Sequence, residues 1–190
     1  GYIGFVPPQI LTWDKKHLDG KIKVQDITES AKEMVPKMKA EGADVIIAIA
    51  HTGIETKEQQ AGAENAVYDL AVKAEGIDAI ISGHQHGLFP GPDYAGNAKI
   101  DIQKGTINGI PVVMPKNWGS HLGIIDMQLE QKDGHWTVKD ASAKTEAIAG
   151  NVGSQNETVT AAIKDTHEKT LEYVRKPVGK TEADINSFFS

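Results

Sequence analysis

Cysteine is absent from the 190-residue sequence. The chain therefore offers no disulfide and no thiolate, and any metal ion has to be held by histidine and by oxygen donors. Long apolar runs are missing as well, since no stretch approaches the roughly 18 consecutive apolar residues that a membrane-spanning helix needs. We expect neither thiol chemistry nor a membrane span.

Clustered positive charge is also lacking, because 20 lysines and arginines face 26 acidic residues and the formal net charge is -6. A protein that binds a nucleic-acid polymer needs basic clusters to neutralise phosphates, so we expect no such partner. The motifs G-x-G-x-x-G, G-x-x-x-x-G-K-[ST] and G-x-S-x-G do not occur either. Without these nucleotide-binding and nucleophile motifs, hydrolysis by a metal-activated water is the chemistry that remains.

The first half of the chain alternates between short apolar runs and helical periodicity. Asp26 is a plausible N-cap for the first helix, and Pro7 and Pro8 end the first strand. A strand-helix-strand order of this kind is typical of a parallel α/β sheet whose strands are buried on both faces. We predict strands at 3–6, 45–50 and 77–82, a loop at 13–20, and helices at about 26–40 and 64–73.

The second half of the chain has a different pattern. After Gly96, short alternating runs are separated by Asn108-Gly109 and Asp133-Gly134, dipeptides that favour tight hairpin turns. This part is predicted to be antiparallel. A long amphipathic helix is then predicted from Glu157 to Val174, which gives an α/β protein with mixed sheets.

Two histidines stand where predicted parallel strands end. His51 follows the run "DVIIAIA" and His84 follows "IDAIIS", with His86 two residues further on. Ligands of open α/β sheets bind outside the carboxyl ends of the strands, and neutral imidazole is a good ligand for several divalent metals. Two histidines separated by one residue can share a site only in a turn, and we expect Gly83 and Gly87 to permit that turn through positive φ and close backbone approach.

These observations predict a metal site formed by His51, His84 and His86. The competing interpretation is that His84 and His86 are polar loop residues hydrogen-bonded to backbone. The remaining histidines are assigned solvated, capping or structural roles, and Trp118 a packing role. The histidines in that group are His17, His121, His135 and His167. The alternative for His121 is that it lines the same cleft, and the alternative for Trp118 is that it borders a pocket.

The strand-end motifs "AHTG" and "GHQH" resemble the third and fourth metal-binding motifs of the calcineurin-like metallophosphoesterases. The segments "GYIGFVPPQILTWDKKHLDGKI", "GHQHGLFPG" and "MPKNWGSHLGIIDM" are similar to one branch of the 5'-nucleotidase superfamily, the bifunctional 2',3'-cyclic-nucleotide 2'-phosphodiesterase/3'-nucleotidases. The resemblance extends over nearly the whole chain.

This resemblance implies a fold and an assignment of segments. The fold is part of a four-layer α/β/β/α sandwich with two mixed sheets. Residues 1–175 would form the C-terminal half of the catalytic domain, and residues 176–190 the start of a linker to an absent C-terminal nucleotide-binding domain. Half a sandwich should expose an apolar sheet face.

The resemblance also implies a chemistry. Two divalent ions of Mn, Zn, Fe, Co or Ni would serve the hydrolysis of 2',3'-cyclic nucleotides and 3'-nucleotides, with His51 and His84 on one ion and His86 on the other. The bridging aspartate, the family's D-x-H, G-D and G-N-H-[DE] motifs and the catalytic residues are expected upstream of this chain. We therefore expect the isolated chain to be inactive. Members of the family work in the periplasm, at the cell surface or as secreted proteins.

Two alternatives stay open on the sequence. The first is a 5'-nucleotidase or a nucleotide-sugar hydrolase, which would share the chemistry but not the substrate. The second is a non-catalytic module in which the three histidines hold one structural ion. The sequence does not identify the residues that bind substrate.

Overall fold

The computed structural model describes residues 1–148, 156–182 and 184. The chain divides into two compact units, Gly1–Ile148 and Ala149–Ser190. Within the described residues, no helix combines the length and the apolar character needed to cross a membrane. The predicted linker at 176–190 lies partly outside these residues, and its boundary stays a prediction.

The first unit is built from nine strands and four α-helices in its described residues. The helices are α1 (Ile10–Trp13), α2 (Lys15–Leu18), α3 (Ile27–Ala40) and α4 (Val67–Lys73). The strands are β1 (Tyr2–Phe5), β2 (Ile47–Ala50), β3 (Ala79–Ser82), β4 (Leu88–Phe89), β5 (Ile100–Asp101), β6 (Thr106–Ile107), β7 (Ile110–Pro115), β8 (His121–Lys132) and β9 (His135–Ala147).

The main sheet combines parallel and antiparallel pairs in the order β1-β2-β3-β7-β6-β5, with β4 also pairing with β7. The pairs β1/β2, β2/β3 and β3/β7 are parallel, whereas β4/β7, β5/β6 and β6/β7 are antiparallel. Strands β8 and β9 form a separate hairpin. The predicted mixed α/β class is confirmed. The prediction that the part after Gly96 is antiparallel is wrong for β7, an apolar and largely buried strand that pairs in parallel with β3.

Local signals place several elements as the sequence predicts. Asp26 caps α3, because its side chain accepts a hydrogen bond of 3.0 Å from the backbone N–H of Glu29. The Asn108-Gly109 and Asp133-Gly134 turns both have positive φ at each residue, as a type I′ hairpin turn requires. These turns join β6 to β7 and β8 to β9.

Two predicted boundaries are wrong. The segment 13–20 is not a continuous loop, since the short helices α1 and α2 occupy most of 10–18. Helix α4 begins at Val67 rather than near Glu64, because the preceding residues bond to Thr52 instead of forming a helical turn. The Thr52 hydroxyl donates to the Glu64 carbonyl at 2.5 Å and accepts from the Ala66 N–H at 2.8 Å.

The core lies between the helices and one face of the parallel strands, where Val35 of α3, Leu70 of α4 and Ile80 of β3 are buried. The opposite face is exposed at β1, β2 and β3, whereas the β8–β9 hairpin packs against β7. Tyr2, Ile49 and Ile81 are 72%, 50% and 40% exposed. The prediction that the strand at 45–50 is buried on both faces is therefore wrong for this chain, whereas the expected exposed apolar sheet face is confirmed.

The second unit contains α5 (Glu157–Val174), with the bounds that the periodicity predicts. Asn156 caps it by accepting a hydrogen bond of 3.1 Å from the Val159 N–H. Val159 and Ile163 on its predicted apolar stripe are exposed.

Candidate metal centre

The carboxyl ends of β2 and β3 bring two histidines together. These parallel strands pair in register up to Ala50 and Ser82, so the residues that follow leave the sheet at the same edge. The ring centroids of His51 and His84 are 5.3 Å apart, with the ring planes inclined at 67°. Two of the three predicted ligands are therefore neighbours, while their role as ligands stays a prediction.

The turn that carries His84 and His86 has an unusual backbone. His84 has φ 72° and His86 φ 58°, both in the left-handed region. We expected Gly83 and Gly87 to adopt positive φ. In the structure, the two histidines adopt it instead. Such conformations cost roughly 1–3 kcal/mol for a residue with a side chain, and they cluster at functional sites.

Gly87 is needed for space instead. A Cβ added there would lie 2.6 Å from the Tyr94 hydroxyl oxygen and 2.8 Å from Met114 Cε, which is closer than atoms in contact can approach. Gly83 is less restricted, since the nearest atom to its added Cβ would be His51 Nδ1 at 3.8 Å. The close approach predicted for the turn therefore applies at Gly87.

The His84 ring is held on two sides. Its Nε2 lies 2.6 Å from Glu64 Oε1, and the indole of Trp13 stacks on it with a centroid distance of 5.1 Å and an interplanar angle of 25°. Neither partner was found from the sequence. Glu64 is 20 residues away from His84, and Trp13 belongs to a segment that was predicted to be a loop.

Gln85, between the two histidines, fixes the turn to the neighbouring loop. Its Oε1 accepts a hydrogen bond of 2.7 Å from the Ile54 N–H, and its Nε2 is 3.4 Å from Glu55 Oε1. Glu55 in turn accepts 2.9 Å from Asn65 Nδ2. The turn is thus anchored by the side chain that separates the histidines.

Comparison with known proteins identifies the family. The model of the calcineurin-like phosphoesterase family matches residues 2–88, a range that includes His51, His84 and His86. A solved structure, the calcineurin-like phosphoesterase YfkN from Bacillus subtilis, is 68% identical and superposes with a TM-score of 0.88 over 92% of this chain and 52% of that one. Residues 2–88 therefore belong to a calcineurin-like phosphoesterase domain.

Curated relatives of this phosphoesterase domain are much longer than the chain. The trifunctional nucleotide phosphoesterase protein YfkN of Bacillus subtilis is 70% identical over all 190 residues, which make up 13% of its length. The 2',3'-cyclic-nucleotide 2'-phosphodiesterase/3'-nucleotidase of Salmonella typhimurium is 44% identical over the whole chain, which spans 30% of that protein. These names agree with the branch that the sequence segments resemble.

The donors in this phosphoesterase domain suit a divalent metal in type but not in number. Neutral imidazoles are ordinary ligands of Zn²⁺ and related ions. Within the described ranges, however, no group of three or more His, Asp and Glu side chains converges to hold an ion. The described donors are therefore too few to form a metal site by themselves.

A second loop adjoins the histidine turn of the phosphoesterase domain. The Lys116 N–H donates a hydrogen bond of 2.9 Å to the Gly87 carbonyl, and Lys116 and Trp118 have φ of 60° and 57°. Trp118 is 96% exposed, so the packing role predicted for it is wrong. The loop that follows this hydrogen bond therefore carries an exposed indole.

The other histidines have different contacts or are exposed. His135 Nδ1 is 2.9 Å from Asp44 Oδ1, and His121 Nδ1 is 3.0 Å from the hydroxyl of the preceding serine. His17 and His167 are exposed. The sequence contains two D-x-H tripeptides. One, at 133–135, spans the turn between β8 and β9, and the other, at 165–167, lies within α5, where residues two apart point to different sides of the helix.

Proposed function

We propose that the protein hydrolyses phosphoester bonds of 2',3'-cyclic nucleotides and 3'-nucleotides at a divalent-metal centre to which this chain contributes His51, His84 and His86. The observation that carries the proposal is the pair of imidazoles at the carboxyl edge of β2 and β3, one of them in a left-handed turn. The names of the curated relatives support nucleotides as the class of substrate.

The chain's own part in this chemistry is to present ligands. His51 and His84 would bind one ion and His86 the second, with the turn holding His84 and His86 in place through Gln85. Two divalent ions of Mn, Zn, Fe, Co or Ni would activate an attacking water and neutralise charge on the phosphoryl oxygens. The loop at Lys116 is joined to the same turn by the hydrogen bond from its backbone N–H to the Gly87 carbonyl.

We further propose that the remaining ligands come from a preceding half of the catalytic domain. The short donor set and the open apolar face of β1, β2 and β3 support this, as does the 52% of the YfkN structure that the chain spans. A C-terminal domain after the linker at 176–190 would bind the nucleotide, and the protein would act in the periplasm, at the cell surface or after secretion.

Phosphate release tests the proposal. The full-length gene product containing these residues would be assayed with Mn²⁺ or Zn²⁺ on 2',3'-cyclic AMP, 3'-AMP and 5'-AMP. We expect activity on the first two substrates and a loss of at least about 100-fold in His86→Ala, because even outer-shell partners of metal ligands cost 10–100-fold. His167→Ala, an exposed histidine on α5, is the matched control and should keep full activity.

Other results would favour one of the two alternative functions. Activity confined to 5'-AMP would retain the metal chemistry and favour a 5'-nucleotidase. A protein without activity on any of the three, whose thermal stability drops in His86→Ala, would instead be a metal-binding module, because folding and binding are coupled at a structural metal site. Robust turnover by the isolated 190-residue chain would contradict the proposal that catalytic residues lie outside it.

A further inference from the structure

Glu64 makes a contact that bears on the metal centre. Its carboxylate lies 2.6 Å from His84 Nε2, on a ring that also stacks against Trp13. We infer that Glu64 is a positioning residue, which fixes His84 as the Nε2-protonated tautomer and leaves Nδ1 to bind the metal ion. The inference rests on the metal role proposed above for His84.

The tautomer follows from the chemistry of the two groups. An ionised carboxylate can only accept hydrogen bonds, so the proton in this contact belongs to Nε2. A neutral imidazole carries one N–H, and its lone pair is then on Nδ1. A carboxylate behind a ligating histidine fixes the orientation of the ring and raises its basicity toward the metal.

Glu64 is itself anchored beside the other histidine. The hydroxyl of Thr52, the residue after His51, donates to the Glu64 carbonyl at 2.5 Å and accepts from the Ala66 N–H at 2.8 Å. The Thr52 carbonyl accepts a hydrogen bond of 2.7 Å from Ser82 at the end of β3. Thr52 is fully buried. Thr52 therefore links the ends of both strands to the backbone of Glu64, through its backbone carbonyl on one side and its hydroxyl on the other.

Trp13 adds a second restraint. Its ring lies nearly parallel to the His84 ring, with the centroids 5.1 Å apart, and so covers one face. The His51 ring approaches at 67° from a centroid distance of 5.3 Å. With Nε2 bonded to Glu64, rotation of the imidazole about its Cβ–Cγ bond would break the hydrogen bond and the stack together. The orientation of Nδ1 is thus set before any metal binds.

The test measures metal binding by the full-length gene product, with Mn²⁺ alone as the probe. Glu64→Ala should weaken Mn²⁺ binding by about 10–100-fold, the usual effect of losing such a partner. Glu64→Gln should bind nearly as well as the wild type, because the amide oxygen can still accept from Nε2. Glu58 lies in the same loop as Glu64 and does not contact a histidine in the structure. Glu58→Ala therefore removes a charge from this loop and serves as the control.

Nitrogen-15 spectra of the histidine rings in the metal-free protein test the tautomer without any metal. We expect the Nε2-protonated form of His84 in the wild type and in Glu64→Gln, and a mixture of tautomers in Glu64→Ala. The Nδ1-protonated form in the wild type would overturn the inference. Wild-type binding by Glu64→Ala would do so too, as would Glu64→Gln binding as weakly as Glu64→Ala.

These results are separable from the substrate proposal. A protein that binds Mn²⁺ and responds to the variants as expected, yet hydrolyses no nucleotide, would keep the positioning role of Glu64 and remove the proposed activity. A wild-type protein that binds no Mn²⁺ would overturn the metal role of His84 and the inference with it. Loss of metal-free thermal stability in Glu64→Ala, with unchanged Mn²⁺ affinity in the folded fraction, would identify a structural contact instead.

Discussion

Replacing Gly87 with alanine should destabilise the protein, whereas the same change at Gly83 should have little effect. The two glycines flank the same histidine turn, but their surroundings differ. The Cβ of an alanine at position 87 would lie 2.6 Å from the Tyr94 hydroxyl oxygen and 2.8 Å from Met114 Cε. At position 83 the nearest atom, His51 Nδ1, is at 3.8 Å, an ordinary contact distance.

The cost at Gly87 depends on which neighbour can move. Met114 is flexible at its end, although it is buried. Tyr94 is also buried and packs edge-on against Phe89, with ring centroids 5.3 Å apart. Its hydroxyl oxygen lies on the axis of ring rotation, so a ring flip does not move it and the whole ring has to tilt. Overpacking of this kind costs about 1–3 kcal/mol.

Thermal unfolding of the full-length gene product checks this reasoning. A destabilisation of 1 kcal/mol lowers Tm by about 2–4 °C in a domain of this size. Gly87→Ala should therefore lower the Tm of the transition containing this domain by several degrees, while Gly83→Ala should leave it close to wild type. Equal Tm values for the two variants would refute the assignment of Gly87 to close packing.

Two further changes test the loops around the core. Asp26→Ala should lower stability by about 1–2 kcal/mol in urea unfolding, because the side chain caps α3 and also accepts a hydrogen bond of 2.7 Å from the Gly62 N–H. Asp14→Ala, at a helix start without a side-chain cap, should cost clearly less and is the control. The backbone N–H of Trp136 holds the pKa of Asp44 below its ordinary value of 3.8. The stability that the ionised Asp44 carboxylate contributes is therefore fully present above pH 3.8 and is lost as the pH falls through the lower pKa of the folded state. Asp44→Asn should be less stable than wild type at pH 7, and the difference in stability should narrow as the pH falls below 3.8; a difference independent of pH would contradict this.

Much of the fold could be predicted because its signals are local. Apolar runs at 45–50 and 77–82 mark the parallel strands β2 and β3, and Asp26 marks the start of α3. The Asn-Gly and Asp-Gly dipeptides identify two hairpins by the positive φ that their turns require. Since both strands belong to one parallel sheet, the placement of His51 beside His84 follows from the same pattern.

The missed features depend on contacts between distant residues. Helix α4 starts late because Thr52 bonds to Glu64 and Ala66, which no periodicity reveals. The pairing of Glu64 with His84 likewise needs the loop and the turn in their folded positions. The left-handed backbone of the turn was expected at the glycines and lies at the histidines, because position 87 needs glycine for space rather than for φ.

The open apolar sheet face and the few candidate metal-binding side chains are found at the same strands. Side chains of β1, β2, β3 and β7 line one wall of an apolar cavity of about 350 Å³, and those of β8 line the other. The segment proposed to complete the metal centre would cover this face and would then reach the carboxyl edge where His51 and His84 lie. Its apolar contacts would favour assembly by roughly 25 cal/mol for each Å² removed from water. Its donors would meet imidazoles already oriented by Glu64 and by the turn. Packing of that segment and metal binding would therefore stabilise each other, since any ligand that binds only the assembled form shifts the equilibrium toward it.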